Sequence, residues 1–524
     1  MESIQFTIKH NIGVNHIFDL LSDEYSLNDK FHSSTERHYF DTFDWRVYQN
    51  SYACGLNIYD EESTFFLKFK NKYENIYEYL ADRRPRFATD ITHPACQALL
   101  NSVLDIRALM HMATLHINRR ELHVLNREHK TLIKIYAESY TAEAGSGIKI
   151  VPGRLIILPI KGYQKIYSNV LNFIDDQLKL PPITNSLLDE VLDKLDKKPR
   201  CSTAISKNRL SESFTTWEAV RVLLSDLLAV LQENETGLRE AIDTEFLHDF
   251  RVAVRRTRSA LTQIKHLFSD EELKYFKNEF YWLGAITSPT RDLDVYLLKF
   301  DGYMQHLPQN LRDDLVPFRQ FLHRHWKSEH KRLCKALDSE RYQNLLKDWL
   351  QVLNRETMDS PQALNAERPA YEVANHRIWK LYKEVIAEGR AIDKKSPDED
   401  LHELRKTCKK LRYLVELFRD YYPSKKIKEL INIMKKLQEN LGDFQDVCIQ
   451  TKQLNEFAQQ MVDEGLVDTK TIMAMGVLIQ TLFTQKDIIR SQFEERFIEF
   501  SSPEKMMSFN TTFNLKKAIE VDPK

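Results

Sequence analysis

The chain has 524 residues, with 75 lysines and arginines against 76 acids, a formal net charge of −1, and 42% hydrophobic residues. This is the balance of a globular protein with two or more domains, and it excludes a surface that is basic all over. No run of about 18 apolar residues stands out, the first residues lack a secretory pattern, and six scattered cysteines form no C-x-x-C pair; these features predict a cytoplasmic protein with no membrane span, zinc site or disulfide framework.

Residues 1–196 read as an α+β domain built on an antiparallel sheet. Ile4, Phe6 and Ile8 alternate with polar residues, the period of a half-buried strand. Further strands are predicted at Thr64–Lys70, Leu132–Tyr136 and Leu155–Ile160, with Pro159 favouring an edge or a bulge. Helices are predicted near 13–22, 94–109 and 164–178, the second with Leu99, Leu100, Val103 and Leu104 on its apolar face. The polar stretch from Lys197 to Thr203, with Pro199 inside it, marks a domain boundary. From 205 to 500 apolar residues recur at three and four, as in Val220, Leu223, Leu224, Leu227, Leu228 and Leu231, which predicts an all-α bundle. The tail, 501–524, shows no clear periodicity.

The helical half repeats itself. His248-Asp249-Phe250-Arg251 through Arg258 aligns with His402-Glu403-Leu404-Arg405 through Arg412, an offset of 154 residues that also carries Leu283 onto Leu437 and Asp292 onto Asp446. Two related units, about 208–355 and 365–500, are therefore expected around a pseudo-two-fold axis. On a helix His248, Arg251, Arg255 and Arg258 share one stripe, and His402, Arg405, Lys409 and Arg412 share its counterpart. Phe250, Val254 and Leu261, and likewise Leu404, Cys408 and Val415, fall on the apolar face beside it. Arg256 and Lys410 widen the stripes, and Ser396, Pro397 and Glu399 match a capping box. Each stripe extends over roughly 15 Å, enough to meet several successive phosphates. Like charges so spaced repel, and a phosphate polymer removes that repulsion while releasing counterions. The histidines would make the grip weakly pH-dependent. Asp292 and Asp446 are expected to orient cations or cap a helix, and Trp282, Trp326 and Trp379 to lie in the core.

These motifs, followed by Trp282-Leu283-Gly284 and Arg291-Asp292 in the first unit and by Leu437-Gln438 and Leu441-Gly442 with Asp446 in the second, resemble a CHAD domain covering about 208–500. The resemblance implies two four-helix bundles with a basic groove between them that binds inorganic polyphosphate, and association with polyphosphate granules. It assigns His248, Arg251, Arg255, Arg256, Arg258, Arg291, His402, Arg405, Lys406, Lys409, Lys410 and Arg412 to the ligand. Lys265, Arg319, Arg324 and Lys435 are weaker candidates. No cofactor, metal or catalytic residue is expected.

Residues 1–196 resemble a degenerate CYTH domain, the triphosphate-tunnel fold. Tyr39-Phe40-Asp41-Thr42 is similar to its Tyr-x-Asp-Thr strand, Thr64–Lys70 to its lysine-bearing strand, and Asn118-Arg119-Arg120 to its arginine strand. Where the family has E-x-E-x-K this chain has Gln5, Thr7 and Lys9; Leu56-Asn57-Ile58-Tyr59 replaces L-R-I-R; and the strand from Arg154 to Lys161 has no acid. Triphosphate hydrolysis needs carboxylates to hold a divalent metal, so a catalytically silent module is expected, in which Lys9, Lys68, Lys70, Arg119 and Arg120 could still meet an anion. The alternatives are a triphosphatase or polyphosphatase acting through this half, and a nucleic-acid binder using the helical groove. The second would need aromatic residues among the cations, where only Tyr413 is apparent.

Overall fold

The computed structural model describes residues 3–8, 14–60, 62–144, 147–199, 210–358, 360–465 and 467–513. Lys9 and most of the predicted linker lie outside them. The chain divides into two units, Met1–Thr203 and Ala204–Lys524.

The first unit is an eight-stranded, wholly antiparallel sheet: β1 Ile4–Ile8, β2 Leu27–Asp41, β3 Tyr52–Tyr59, β4 Glu62–Phe69, β5 Tyr77–Leu80, β6 Met110–Leu125, β7 Thr131–Ala144 and β8 Gly147–Pro159. The strand order is β1-β8-β7-β6-β2-β3-β4-β5. Its helices are α1 Val14–Glu24, α2 Arg46–Gln49, α3 Pro94–Leu104, α4 Gln164–Phe173 and α5 Leu187–Lys194. Phe6, Ile8, Leu122, Val124, Ile133 and Ile135 bury one face of the sheet against α1 and α4. The sheet curls: Tyr73, after β4, donates to Glu138 of β7 at 3.2 Å, and the Ser3 amide donates to Glu74 at 3.4 Å. Because β8 lies between β1 and β7, the strand carrying Pro159 is internal rather than an edge. The proline is tolerated because it is the last residue of β8 and ends the ladder there.

The second unit is helical: α6 Thr216–Arg239, α7 Thr244–Gln263, α8 Asp270–His306, α9 Val316–Leu337, α10 Glu340–Leu353, α11 Ala370–Ala391, α12 Asp398–Leu417, α13 Ser424–Asp463, α14 Thr469–Phe500 and α15 Pro503–Phe513. The starts of α6, α7 and α8 map onto those of α11, α12 and α13 at the same 154-residue offset. Among the described residues α6 to α10 form the first half and α11 to α15 the second, with α15 lying beyond the expected end of the second repeat. The long helices α8 and α13 reach beyond their own repeats. Their C-terminal halves pack with α9 and α14 into one shared core through Tyr296, Phe300, Phe318, Leu454, Met475 and Leu478.

Several expectations need correction. The tail is helical from Pro503 to Phe513, with Phe509 and Phe513 fully buried and Phe509 stacked on Tyr382 at 4.2 Å. Helix α12 starts at Asp398 with no side-chain cap, because the Ser396 hydroxyl engages Asp393 instead. Trp282, Trp326 and Trp379 are half-buried, and the core tryptophans of the helical unit are Trp217 and Trp349. By length and composition alone α14 contains a window apolar enough to cross a membrane, with 22% of that window buried. Its Ala474, Met475, Leu478 and Leu482 face the shared core while Met473, Phe483 and Ile488 are exposed.

Candidate functional site

The apolar faces of α7 and α12 lock both cationic stripes to the scaffold. Phe250, Val254 and Leu261 are buried on one, Leu404, Cys408 and Val415 on the other. This leaves Arg251, Arg255, Arg256 and Arg258 of α7, and Arg405, Lys409 and Arg412 of α12, half-buried at the surface. The two sets converge. Arg255 acts electrostatically on both Arg405 and Lys409. Arg255 and Lys409 are repeat equivalents, as are Asp292 and Asp446, which also sense each other. Tyr296 donates its hydroxyl to the carbonyl of its own equivalent, Gln450, at 3.3 Å. Equivalent residues can be mutual neighbours only near the symmetry axis, so the pseudo-dyad passes between α7 and α12 and between α8 and α13.

The electrostatics follow from this crowding. Burial, reinforced by Arg405 and Arg255, pushes Lys409 down to about 8. Burial, reinforced by Arg255, Arg291 and Arg258 and opposed by Asp292, pushes Arg251 down to about 10. Arg405 and Arg258 are lowered, chiefly by burial. Burial raises Asp292, against the pull of Arg251 and Arg291. The Nε–H groups of Arg255, Arg256, Arg405 and Arg412 are buried without a hydrogen-bond partner, and such groups are costly unless an acceptor reaches them. Arg251, Arg255, Arg258, Tyr281, Ser288 and Asp292 line a cavity of about 380 Å³ on the α7 side.

Several sequence candidates are also tied into the scaffold or paired at the surface. Arg251 donates to Gly284 O at 3.1 Å, Thr287 Oγ1 at 2.7 Å and Ser288 Oγ at 3.0 Å. These groups lie in the turn before Pro289, where α8 loses a backbone donor. Arg291 turns inward, donating to Thr244 O and to His248 Nδ1, both at 3.0 Å, with Glu245 at 3.7 Å. In the second repeat His402 makes the equivalent contact with Gln445 at 2.5 Å. Both histidines therefore tie the stripe helix to its long neighbour. Asp292 and Asp446 sit within helices rather than capping them, and Asp446 orients Arg405 (3.9 Å) and Lys299 (4.0 Å). Lys406 pairs with Glu403 at 2.7 Å on an exposed face, and Lys410 is exposed and acts on Glu388. Lys265, Arg324 and Lys435 are exposed, and Arg319 lies 3.5 Å from Asp301. Sequence reasoning missed Thr287, Ser288, Tyr281, Lys299 and Glu416. Of these only Glu416, four residues after Arg412 on the same helix, carried a local signal.

The helical unit has a clear relative among known domains. Residues 222–455 match the model of the CHAD domain. This unit carries a CHAD domain. Two uncharacterized proteins of Mycobacterium tuberculosis, from strains H37Rv and CDC 1551, are each 27% identical to this chain over 253 residues. That alignment is 47% of this chain and 46% of theirs, so the chain spans about half the length of the curated relatives it matches. The solved CHAD domain of the plant Ricinus communis is 22% identical, with a TM-score of 0.48, covering 57% of this chain and 97% of that one. A Hippeastrum adenylyl-cyclase-like protein, described as having a dominant triphosphatase activity, is 12% identical, with a TM-score of 0.28, covering 38% of this chain and 97% of that one.

The first unit has its own polar interior. Arg37, Lys68, Arg119 and Arg154 share the inner face of the sheet with Asn57, Tyr140 and Glu138. Arg119 (2.6 Å), Tyr73 (3.2 Å) and Tyr140 all direct donors at Glu138. Arg37 bonds Asn57 at 2.7 Å, and Arg154 lies 2.9 Å from Glu190. Lys68 is 7% exposed; burial, with Arg37 and Arg154 nearby, pushes it down to about 7. Lys70 instead pairs with Asp189 at 3.2 Å, and Arg120 points to the other face, to Asp29 at 2.6 Å. Asp41, of the Tyr-x-Asp-Thr segment, accepts the amides of Thr42, Val47 and Tyr48 and braces a turn. Arg37, two residues before Tyr39 and so on the same face of the strand, is the cation that alternation could have revealed.

Proposed function

We propose that the CHAD domain binds inorganic polyphosphate along the trough between α7 and α12, without chemistry of its own. The observation that carries the reading is the convergence of two cationic stripes across the pseudo-dyad, where the Nε–H groups of Arg255 and Arg405 are buried with no hydrogen-bond partner among the described residues. A chain of phosphates supplies oxygens at repeated intervals, neutralises the crowding that depresses Lys409 and Arg251, and gains two-pronged contacts from arginine. A cytoplasmic location, on polyphosphate granules where these form, follows from this reading. The test is removal of charge at Arg251, Arg255, Arg405 and Lys409 together. Loss of polyphosphate binding with a flattened salt dependence is expected; unchanged affinity in a folded variant refutes the site.

For the first unit the proposal is a retained anion cradle that does not hydrolyse. What supports it is that Arg37, Lys68, Arg119 and Arg154 crowd around Glu138, whose oxygens are engaged by Arg119, Tyr73 and Tyr140. Divalent metals held by protein oxygens want several available carboxylates, and Gln5 and Thr7 stand where the tunnel family has glutamates. With magnesium or manganese and tripolyphosphate, no phosphate release above background is expected. Turnover abolished by Glu138→Gln would instead establish the triphosphatase alternative.

A further inference from the structure

We propose that Glu416 is a built-in competitor of the polyanion, an internal carboxylate that occupies two trough cations and sets how readily the phosphate chain is captured and released. The inference rests on the polyphosphate reading above. Glu416 lies in the last turn of α12 with its side chain 16% exposed. Its Oε2 accepts from Arg256 Nη2 of the first repeat at 3.0 Å, and its Oε1 lies 3.4 Å from Arg412 Nε of the second. One carboxylate thus bridges the two stripes as a phosphate would, each oxygen toward a different guanidinium.

The repeat supplies an internal control. The position equivalent to Glu416 is Thr262, which is exposed and donates its hydroxyl to Arg258 O in its own helix at 2.6 Å. The position equivalent to Arg256 is Lys410, also exposed. The competitor therefore exists in one half of the domain only. The fold holds in the first repeat without a carboxylate at that place.

The consequence is a threshold. A phosphate entering between Arg256 and Arg412 must displace Glu416, leaving a half-buried carboxylate beside the new anion. A short chain has few other contacts to offset that cost. A long chain, reaching Arg255, Arg405 and Lys409 as well, has several. Glu416 is thereby a specificity-determining residue that disfavours short oligophosphates and keeps long-chain binding reversible.

The test titrates the full-length chain with tripolyphosphate and with long-chain polyphosphate at two salt concentrations, comparing wild type, Glu416→Gln and Thr262→Glu. Glu416→Gln is expected to tighten binding by about three- to tenfold, with the larger factor for tripolyphosphate. The slope of log affinity against log salt should steepen by about one to two. Thr262→Glu installs a competitor in the other half at an exposed position and is expected to weaken binding by a similar factor. Glu416→Gln binding that is unchanged or weaker, at an unaltered melting temperature, overturns the proposal and makes the residue a structural clasp. Tighter or unchanged binding by Thr262→Glu overturns it as well. Absence of wild-type binding to either phosphate overturns the underlying reading and this inference together.

Discussion

At the scale of single residues, the two repeats use the same cations differently. Arg251 is held by three acceptors of α8, whereas among the described residues Arg405 pairs with Asp446 at 3.9 Å and its Nε–H has no hydrogen-bond partner. Arg251→Gln should therefore cost stability, about 1–3 kcal/mol in urea denaturation, as well as affinity. Arg405→Gln should cost affinity with little loss of stability. Lys409 sets the pH dependence. Its folded value, about 8, lies below the ordinary lysine value of 10.5. Unfolded chains keep that proton to higher pH, so the unliganded domain gains stability as pH rises from 8 toward 10.5. Binding runs the other way: polyphosphate favours the charged form, so affinity should fall from pH 7 to 9. Calorimetry near pH 8 in buffers of different ionisation enthalpy should detect proton uptake, and Lys409→Met should abolish it. Lys68, at about 7, predicts a stability rise between pH 7 and 10.5 in the first unit, flattened by Lys68→Met in thermal melts. The stripes were legible because spacings of three and four reveal a helix face. Which cations serve the fold was not, since the acceptors of Arg251 lie 33 to 37 residues away on another helix.

At the scale of elements, the repeat was legible from 248 to 292 because its cations and acids recur in strict register. Its full extent appears only with the helix starts, which keep the offset at α6, α7 and α8 although few side chains are retained. The shared core of α8, α9, α13 and α14 was not legible, since nothing local says that a long helix leaves its own repeat. Helix α15 was missed for a different reason. Its apolar anchors, Phe509 and Phe513, are a single pair four apart, too short a pattern to stand out in a polar tail. Both are nonetheless buried, against Tyr382, Phe500 and Tyr422. Phe509→Ala should therefore destabilise the helical unit by about 3–5 kcal/mol, measured by urea denaturation, with the trough residues untouched.

At the scale of the whole molecule, a net charge of −1 is compatible with the proposed cationic trough because acids other than Asp292, Asp446 and Glu416 pair with arginines away from the stripes, as Glu279 does with Arg341. Composition hides such a site, since steering depends on local field rather than total charge. The same field would attract any polyanion, so selectivity must come from what lines the trough. Single-stranded nucleic acid gains affinity where bases stack on aromatic rings. Here the aromatic neighbours are Tyr281, beside Arg258 at 5.0 Å, and Tyr413, beside Arg412 at 5.6 Å. Each already packs against its own arginine. Inorganic polyphosphate, with no bases to accommodate, can bring its charges closer together along the crossing helices. In competition at fixed salt, long-chain polyphosphate should displace single-stranded RNA at a lower concentration of phosphate units, and Tyr281→Ala should leave that order unchanged. RNA prevailing in the competition, or losing its hold only when Tyr281 is removed, would make the trough a nucleic-acid site.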